Sequence, residues 1–136
     1  MLTLFYAGAL ALLGLFLAYK TTSTRMSSET LLGTGDSFEM LQATRAHGNL
    51  VEYALFFLIL SALLESVGQI PNLATGIFGD VFLLARFSHA YGITRPEARS
   101  KFRVAGTVLT WLVLLVQSIW ALKISFAWLL ANNFGF

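Results

Sequence analysis

The stretch MLTLFYAGALALLGLFLAY, residues 1–19, contains no charged side chain. A helix rises about 1.5 Å per residue, so this run is long enough to cross a hydrocarbon core about 30 Å thick. It lacks the basic start and the small-residue cleavage site of a secretory signal peptide, so we expect it to be retained as a membrane helix. A second uncharged run of equal length covers residues 104–122. The two runs predict an integral membrane protein.

The composition of the whole chain favours the same class. Of its 136 residues, 57% are hydrophobic and 12% are charged, whereas about a quarter of the residues of a soluble domain are charged. The basic residues form no tract, so we expect no nucleic-acid partner although the pI is about 9.2. The chain has no cysteine, so any thiol chemistry has to come from a bound molecule.

The pattern along the chain predicts one domain, residues 1–136, with an all-α fold. We expect a bundle of four transmembrane helices in an up-down order, at about residues 2–20, 38–64, 72–92 and 103–122. Asp36 or Ser37 is expected to cap the second helix, and Gly92 is expected to end the third as its C′ residue. Residues 123–136 either continue the fourth helix or form an interfacial tail.

The connecting segments predict the orientation of the bundle. The first and third loops lie on one side of the membrane in an up-down arrangement, and the second loop carries no lysine or arginine. Basic residues concentrate in cytoplasmic loops, so we expect loops 1 and 3 in the cytoplasm and both termini outside. The basic residues of the first and third loops and their edges are Lys20, Arg25, Arg95, Arg99, Lys101 and Arg103.

Polar side chains gather at the predicted cytoplasmic end. Arg45, Asn49 and Glu52 follow the spacing i, i+4 and i+7, which places them on one face of the second helix. Ionisable groups are costly at membrane depth, so by default they indicate a functional site. The alternative is that they only cross-link helices, although a salt bridge between Arg45 and Glu52 would not need Asn49. Other polar residues of this kind are Gln42, Arg86, His89, Arg103, Thr107, Thr110 and Gln117.

These residue types favour an anionic ligand over a metal ion. Arginines bind carboxylates through paired hydrogen bonds, and a glutamate among them would suit a ligand that also carries an ammonium group, such as glutathione. His47 and His89 have no partner at metal-ligand spacing, so we expect no metal. Asp80 lies on a different face from Arg86, and we expect it to pair with an arginine or lysine of another helix or subunit.

Three segments resemble the MAPEG family, the membrane-associated proteins in eicosanoid and glutathione metabolism. Arg45-Ala-His-Gly-Asn49-Leu-Val-Glu52-Tyr53 resembles the family motif RAHxNxxE, and Ala85-Arg86-Phe-Ser-His89-Ala-Tyr91-Gly92 is similar to its helix-3 signature. Gly33-Thr-Gly-Asp36 resembles the loop of the bacterial branch. The resemblance implies a homotrimer in the bacterial inner membrane, with glutathione between neighbouring subunits near the cytoplasmic face.

The resemblance also implies roles for particular residues. Asn49 and Glu52 match the glutathione-binding asparagine and glutamate of the family, and Arg103 matches the helix-4 arginine that stabilises the thiolate. Three further residues would contact glutathione: Arg45, which opens the motif, His89 of the third helix, and Arg25, for which Lys20 is an alternative. The chain departs from several mammalian enzymes at Gly48, where they have another glutathione-binding arginine, and near Ile93 and Thr107, where they have tyrosines.

Three functions remain open at this point. The first is a glutathione-dependent transferase or peroxidase that takes lipophilic electrophiles from the bilayer. Its expected partners are membrane lipid and a hydrophobic small-molecule acceptor. The second is a non-enzymatic lipid-binding protein or an accessory subunit of a membrane complex, which Gly48 favours. A transporter fits less well, because the chain has no inverted repeat and no broken membrane helix.

Overall fold

Four long helices make up nearly all of the protein. The computed structural model describes residues 1–95 and 100–135, and within these ranges it has no strand. The helices are α1 (Leu2–Ser27), α2 (Phe38–Ser66), α3 (Asn72–Ile93) and α4 (Lys101–Ala131), and a short 3₁₀ helix, Asn133–Gly135, follows. The predicted all-α, four-helix fold is therefore confirmed.

Two helices continue beyond their uncharged runs. α1 continues past residue 20 to Ser27, and α4 continues past residue 122 to Ala131, so residues 123–131 extend the helix. The predicted end of α1 near residue 20 is therefore too early, whereas the sequence leaves both outcomes open for residues 123–136. Polar residues do not end a helix by themselves, and neither extension contains a glycine or proline that would. Asn132 is the C-cap of α4 and directly precedes two residues with positive φ, Asn133 and Phe134.

Local signals at two other helix ends had different outcomes. Ser37 is the N-cap of α2, and its hydroxyl accepts a hydrogen bond from the backbone N–H of Met40 at 3.1 Å. Gly92 is not a C′ residue but lies inside α3. A Cβ added there would lie 2.2 Å from the backbone nitrogen of Arg103, so glycine at this position allows the start of α4 to approach α3.

The helices run up and down, which gives the bundle two distinct ends. Leu2 and Thr3 of α1 donate backbone hydrogen bonds of 2.9 Å to Glu65 of α2 at one end. At the other end, Gln42 of α2 donates a 2.8 Å bond to the carbonyl of Arg95, just after α3. We call the first the loop 2 end. The second is the loop 1/3 end, where α1 and α3 end and α2 and α4 begin.

The interior of the bundle is narrow and mostly apolar. α1 contributes one stripe at the helical spacing 4-3-4, formed by Tyr6, Leu10, Leu13 and Leu17. Phe57 of α2 and Phe82 of α3 stack with ring centroids 3.9 Å apart. Large apolar side chains also cover the outside of the helices, as expected where the surrounding solvent is lipid.

Length and composition separate three of the described helices from the fourth. α1, α2 and α4 are each long and apolar enough to cross a membrane. α3 packs against all of them and carries two charged residues, Asp80 and Arg86, between its ends. A charged membrane residue normally faces protein or a polar cavity, and Arg86 is indeed buried within the bundle. The fold is a four-helix transmembrane bundle.

Candidate functional site

A cavity of about 310 Å³ opens at the loop 1/3 end, between α2, α3 and α4. Arg45 and Arg103 lie on its wall, and both are exposed. Two guanidinium groups beside one small cavity suit a ligand with a carboxylate or another anionic group. The other lining residues are mainly apolar, which leaves room for an apolar part of the ligand: Phe38, Leu41, Gln42, Gly92 and Ile93.

Arg45 and Glu52, two of the predicted ligand-binding residues, face each other across the surface of α2. Arg45 Nη1 lies 3.8 Å from Glu52 Oε1, and each side chain is 56% exposed. An ion pair this long and this exposed contributes about 0–1 kcal/mol to stability. Both side chains can therefore turn to a ligand at little cost to the fold.

Asn49 lies between these two residues in the sequence, but its contact is in the interior. Its Oδ1 accepts a 2.8 Å hydrogen bond from Nη1 of Arg86. Arg86 is only 2% exposed, and its Nη2 donates a 3.1 Å bond to the backbone carbonyl of Gly106. One guanidinium thus joins α2, α3 and α4 immediately behind the predicted ligand-binding face.

Aromatic rings complete the surroundings of Arg86. Its guanidinium carbon lies 5.3 Å from the centroid of the Tyr53 ring and 5.7 Å from that of Phe82, distances at which a cation is attracted to a ring face. The hydroxyl of Tyr53 in turn accepts a 2.9 Å bond from the indole nitrogen of Trp111. These contacts hold the middle of α2 against both α3 and α4.

The sequence alone did not identify Arg86 as the centre of this network. Its pattern does contain a signal, since Gly79, Phe82, Arg86 and His89 follow the spacing 3-4-3 on one stripe. Three of the four, all except Arg86, are residue types that commonly pack inside a bundle. All four are buried. A charged residue in register with such a stripe predicts an inward-facing side chain.

His89 lies in the contact between α3 and α4. His89 is 4% exposed. A Cβ added at Gly106 would lie 2.7 Å from the backbone nitrogen of His89 and 2.9 Å from the Cβ of His89. It is not one of the residues that line the cavity. Its predicted contact with glutathione stays a prediction.

The two candidates for a basic residue at the end of α1 have different surroundings. Arg25 Nη1 donates to the carbonyls of Thr30, Leu31 and Gly33 at 3.0, 3.2 and 3.2 Å, so it organises the first loop. Lys20 lines a second cavity of about 360 Å³ between α1 and α2. That cavity shares Phe38 and Gln42 with the first.

The partner of Asp80 within the chain differs from the one we expected. Its Oδ1 accepts a 2.8 Å hydrogen bond from the hydroxyl of Tyr6 on α1, rather than an ion pair from an arginine or lysine. The Tyr6 ring reaches this position because residue 79 is a glycine, where a Cβ would lie 2.0 Å from a ring carbon. In residues 1–95 and 100–135, no three His, Asp or Glu side chains are grouped as metal ligands would be.

Fold and cavity together define a multi-pass membrane protein with a cationic site at one end of a helical bundle. The model of the MAPEG family matches residues 3–123. The inner membrane protein YecN of Escherichia coli (strain K12) is 32% identical over 117 residues, which cover 86% of this chain and 87% of that protein. The protein of the same name from Escherichia coli O6:H1 (strain CFT073) matches equally well. The chain belongs to the MAPEG family, as the resemblance of its motifs indicated.

Proposed function

We propose that the protein is a glutathione-dependent transferase or peroxidase that acts on lipophilic electrophiles at the membrane. The observation that carries this proposal is the cavity at the loop 1/3 end, where Arg45 and Arg103 share one wall. Family membership supports a role in glutathione or eicosanoid metabolism. Glutathione supplies the thiol that a chain without cysteine lacks.

Arg103 is the proposed catalytic residue. A glutathione thiol is mostly protonated at neutral pH, and a guanidinium beside it lowers its pKa and stabilises the thiolate. The thiolate sulfur then bonds to the electrophilic carbon of the acceptor, whose leaving group departs with its electron pair, while the thiol proton goes to solvent. Arg25, Arg45, Asn49, Glu52 and His89 are the proposed binding residues for glutathione.

The acceptor is proposed to enter sideways from the bilayer. Phe38 and Leu41, which line the cavity, are both exposed on the outside of the bundle, as is Phe102 at the start of α4. An apolar molecule dissolved in lipid can follow these side chains to the cavity without crossing water. This route favours lipophilic electrophiles over polar ones.

The proposed assembly is a homotrimer in the bacterial inner membrane, with loops 1 and 3 in the cytoplasm. The exposed charges of Arg45 and Glu52 support a subunit interface, because a neighbouring copy would shield them from lipid. The words "inner membrane protein" in the names of its relatives support the proposed inner membrane location.

A glutathione titration of the purified protein in detergent tests the proposal. A ligand that binds only the folded state raises stability by about 2.7 kcal/mol at a hundred times its dissociation constant. We expect glutathione to raise the melting temperature of wild type but not of the Asn49→Ala/Glu52→Ala variant. Arg103→Gln should retain a glutathione-dependent shift and lose most of the conjugation of glutathione to a lipophilic aryl halide. No shift in wild type at millimolar glutathione would contradict the proposal.

The second candidate is a lipid-binding or accessory role without catalysis. Gly48 favours it, because the site has one arginine fewer than several mammalian enzymes of the family. Under this alternative, the purified protein retains lipid and its melting temperature does not respond to glutathione. Mass spectrometry of copurified lipid, together with the titration, separates the two functions.

A further inference from the structure

Arg86 is a buried cation without a carboxylate partner in the described part of the chain. Its side chain is 2% exposed, and the ion pairs of residues 1–95 and 100–135 are those of Arg45 with Glu52 and of the N-terminus with Glu65. Burial of an unpaired charge is costly. Helix cross-linking alone would be served as well by a neutral residue, so the charge of Arg86 calls for a further explanation.

The chemistry of the guanidinium fixes the orientation of the Asn49 amide. A guanidinium has only donors, so it can bond only to the oxygen of the amide. The 2.8 Å contact between Arg86 Nη1 and Asn49 Oδ1 therefore turns the NH₂ group of Asn49 away from the interior. Asn49 is half-buried, and within the described residues its NH₂ group has no acceptor.

We propose that Arg86 is a positioning residue that makes Asn49 a pure hydrogen-bond donor toward the ligand. The group bound at Asn49 must then be an acceptor, namely a carboxylate or carbonyl oxygen, and an ammonium group is excluded there. The positive charge behind the amide polarises it further in the same sense. This inference rests on the proposed function only in naming glutathione as the ligand that supplies the acceptor.

The orientation can be tested without any ligand through the variant Asn49→Asp. Aspartate keeps the oxygen that faces Arg86 and adds a negative charge. We expect Asn49→Asp to raise the melting temperature of the ligand-free protein when Arg86 is present, because a buried ion pair replaces a neutral partner. In an Arg86→Met background the same substitution should lower the melting temperature, because the new charge has no partner. Arg86→Gln serves as the neutral background if Arg86→Met does not fold, and Asn49→Asp should lower the melting temperature there as well.

The donor role is tested by glutathione itself. Asn49→Asp removes the outward donor and adds a charge that repels carboxylates, so its glutathione affinity should fall at least tenfold although its fold is more stable. Asn49→Ala, which removes the donor without adding charge, should lose affinity and stability together. A purely structural contact would not produce a more stable protein that binds less.

The outcomes separate this inference from the proposed function. A change of sign between the two backgrounds, with weaker glutathione binding by Asn49→Asp, supports both. A change of sign in a protein whose wild type ignores glutathione supports the coupling of Arg86 to Asn49 and removes the glutathione function. The same effect of Asn49→Asp in both backgrounds overturns the inference, as does undiminished glutathione binding by a stable Asn49→Asp variant.

Discussion

Two arginines take their partners from the same stretch of α2, but in opposite surroundings. Arg45 faces a full charge, Glu52, at 3.8 Å with both side chains 56% exposed. Arg86 faces a neutral amide, Asn49, at 2.8 Å and is 2% exposed. The exposed pair has the stronger charges and the longer distance, whereas the buried pair has the weaker charges and the shorter distance.

The pair with two full charges is therefore not the pair that matters more to the fold. Within one subunit the exposed pair is long and weak, so its loss costs the fold little. Loss of Arg86 would remove the donor to Asn49 Oδ1, and an acceptor left without its partner in the interior costs about 1–3 kcal/mol. The first pair is free to serve a ligand, and the second holds the frame that presents it.

The largest effect is expected at Gly106, whose carbonyl accepts a hydrogen bond from the buried Arg86. A Cβ there would lie 2.5 Å from the carbonyl oxygen of Ala85, so Gly106→Ala must separate α3 from α4. We expect a loss of about 1–3 kcal/mol or more, measured as a lower melting temperature and less folded protein in detergent. Gly8→Ala is the matched control, because a Cβ at Gly8 meets nothing within 4 Å, and it should be neutral or stabilising.

A smaller effect is expected where the frame meets the cavity, at Gly92. Gly92→Ala places a Cβ 2.2 Å from the nitrogen of Arg103 and 2.8 Å from its Cα, so the start of α4 must move and carry Arg103 with it. We expect about tenfold lower turnover, with a destabilisation of about 1–3 kcal/mol. Gly76→Ala lies in the same helix in open space and is the control. Unchanged turnover in a well-folded Gly92→Ala protein would show that the position of Arg103 is unimportant.

The exposed pair should show a small effect on stability and a separate one on binding. Arg45→Gln and Glu52→Gln should each change the free energy of unfolding by less than about 1 kcal/mol, and a double-mutant cycle should give a coupling within the same limit. In a titration, each variant should nevertheless show a lower affinity for glutathione. A coupling well above 1 kcal/mol would show that this pair stabilises the bundle, and it would contradict the contrast with Arg86.

The smallest change in stability is expected from restoring the arginine that several mammalian enzymes of the family have. The site at Gly48 is open, since a Cβ there would meet only Glu52 Oε1, at 4.0 Å. Gly48→Arg should therefore fold as well as wild type and bind glutathione several times more tightly through one added charge-assisted bond. The comparison of titrations for the two proteins checks this, with Gly48→Gln as an uncharged control. Tighter binding by the glutamine variant as well would point to helix propensity instead of charge.

The features that the sequence predicted correctly are mainly local ones. Two uncharged runs and the pattern between them predicted four helices. Ser37 was one of two expected caps, and its hydroxyl accepts a hydrogen bond from a backbone N–H three residues along the chain. The end of α1 was misplaced because polarity changes at a membrane surface without breaking backbone hydrogen bonds, whereas the sequence left open whether α4 continues past residue 122. The RAHxNxxE resemblance led to the family, and the structure then placed Arg45 and Arg103 on one cavity.

Contacts between distant residues were outside the reach of the pattern. Arg86 and Asn49 are separated by 37 residues, and Tyr6 and Asp80 by 74. Each pair depends on how closely two helices approach, and for Tyr6 and Asp80 this approach requires the glycine at position 79. The sequence showed which polar groups needed partners, but helix packing determines which partners they meet.

The unequal lengths of α3 and α4 bear on how the protein fits its bilayer. The two helices meet where Gly92 contacts Arg103, and from there α4 extends about 12 Å farther than α3 at 1.5 Å per residue. The projecting end carries exposed Phe126, Trp128 and Leu130. In a thick bilayer these side chains would be immersed in lipid, and in a thin one they would tilt the helix or stand in the headgroups. Bilayer thickness thereby acts on α4, the helix that carries Arg103 at its other end.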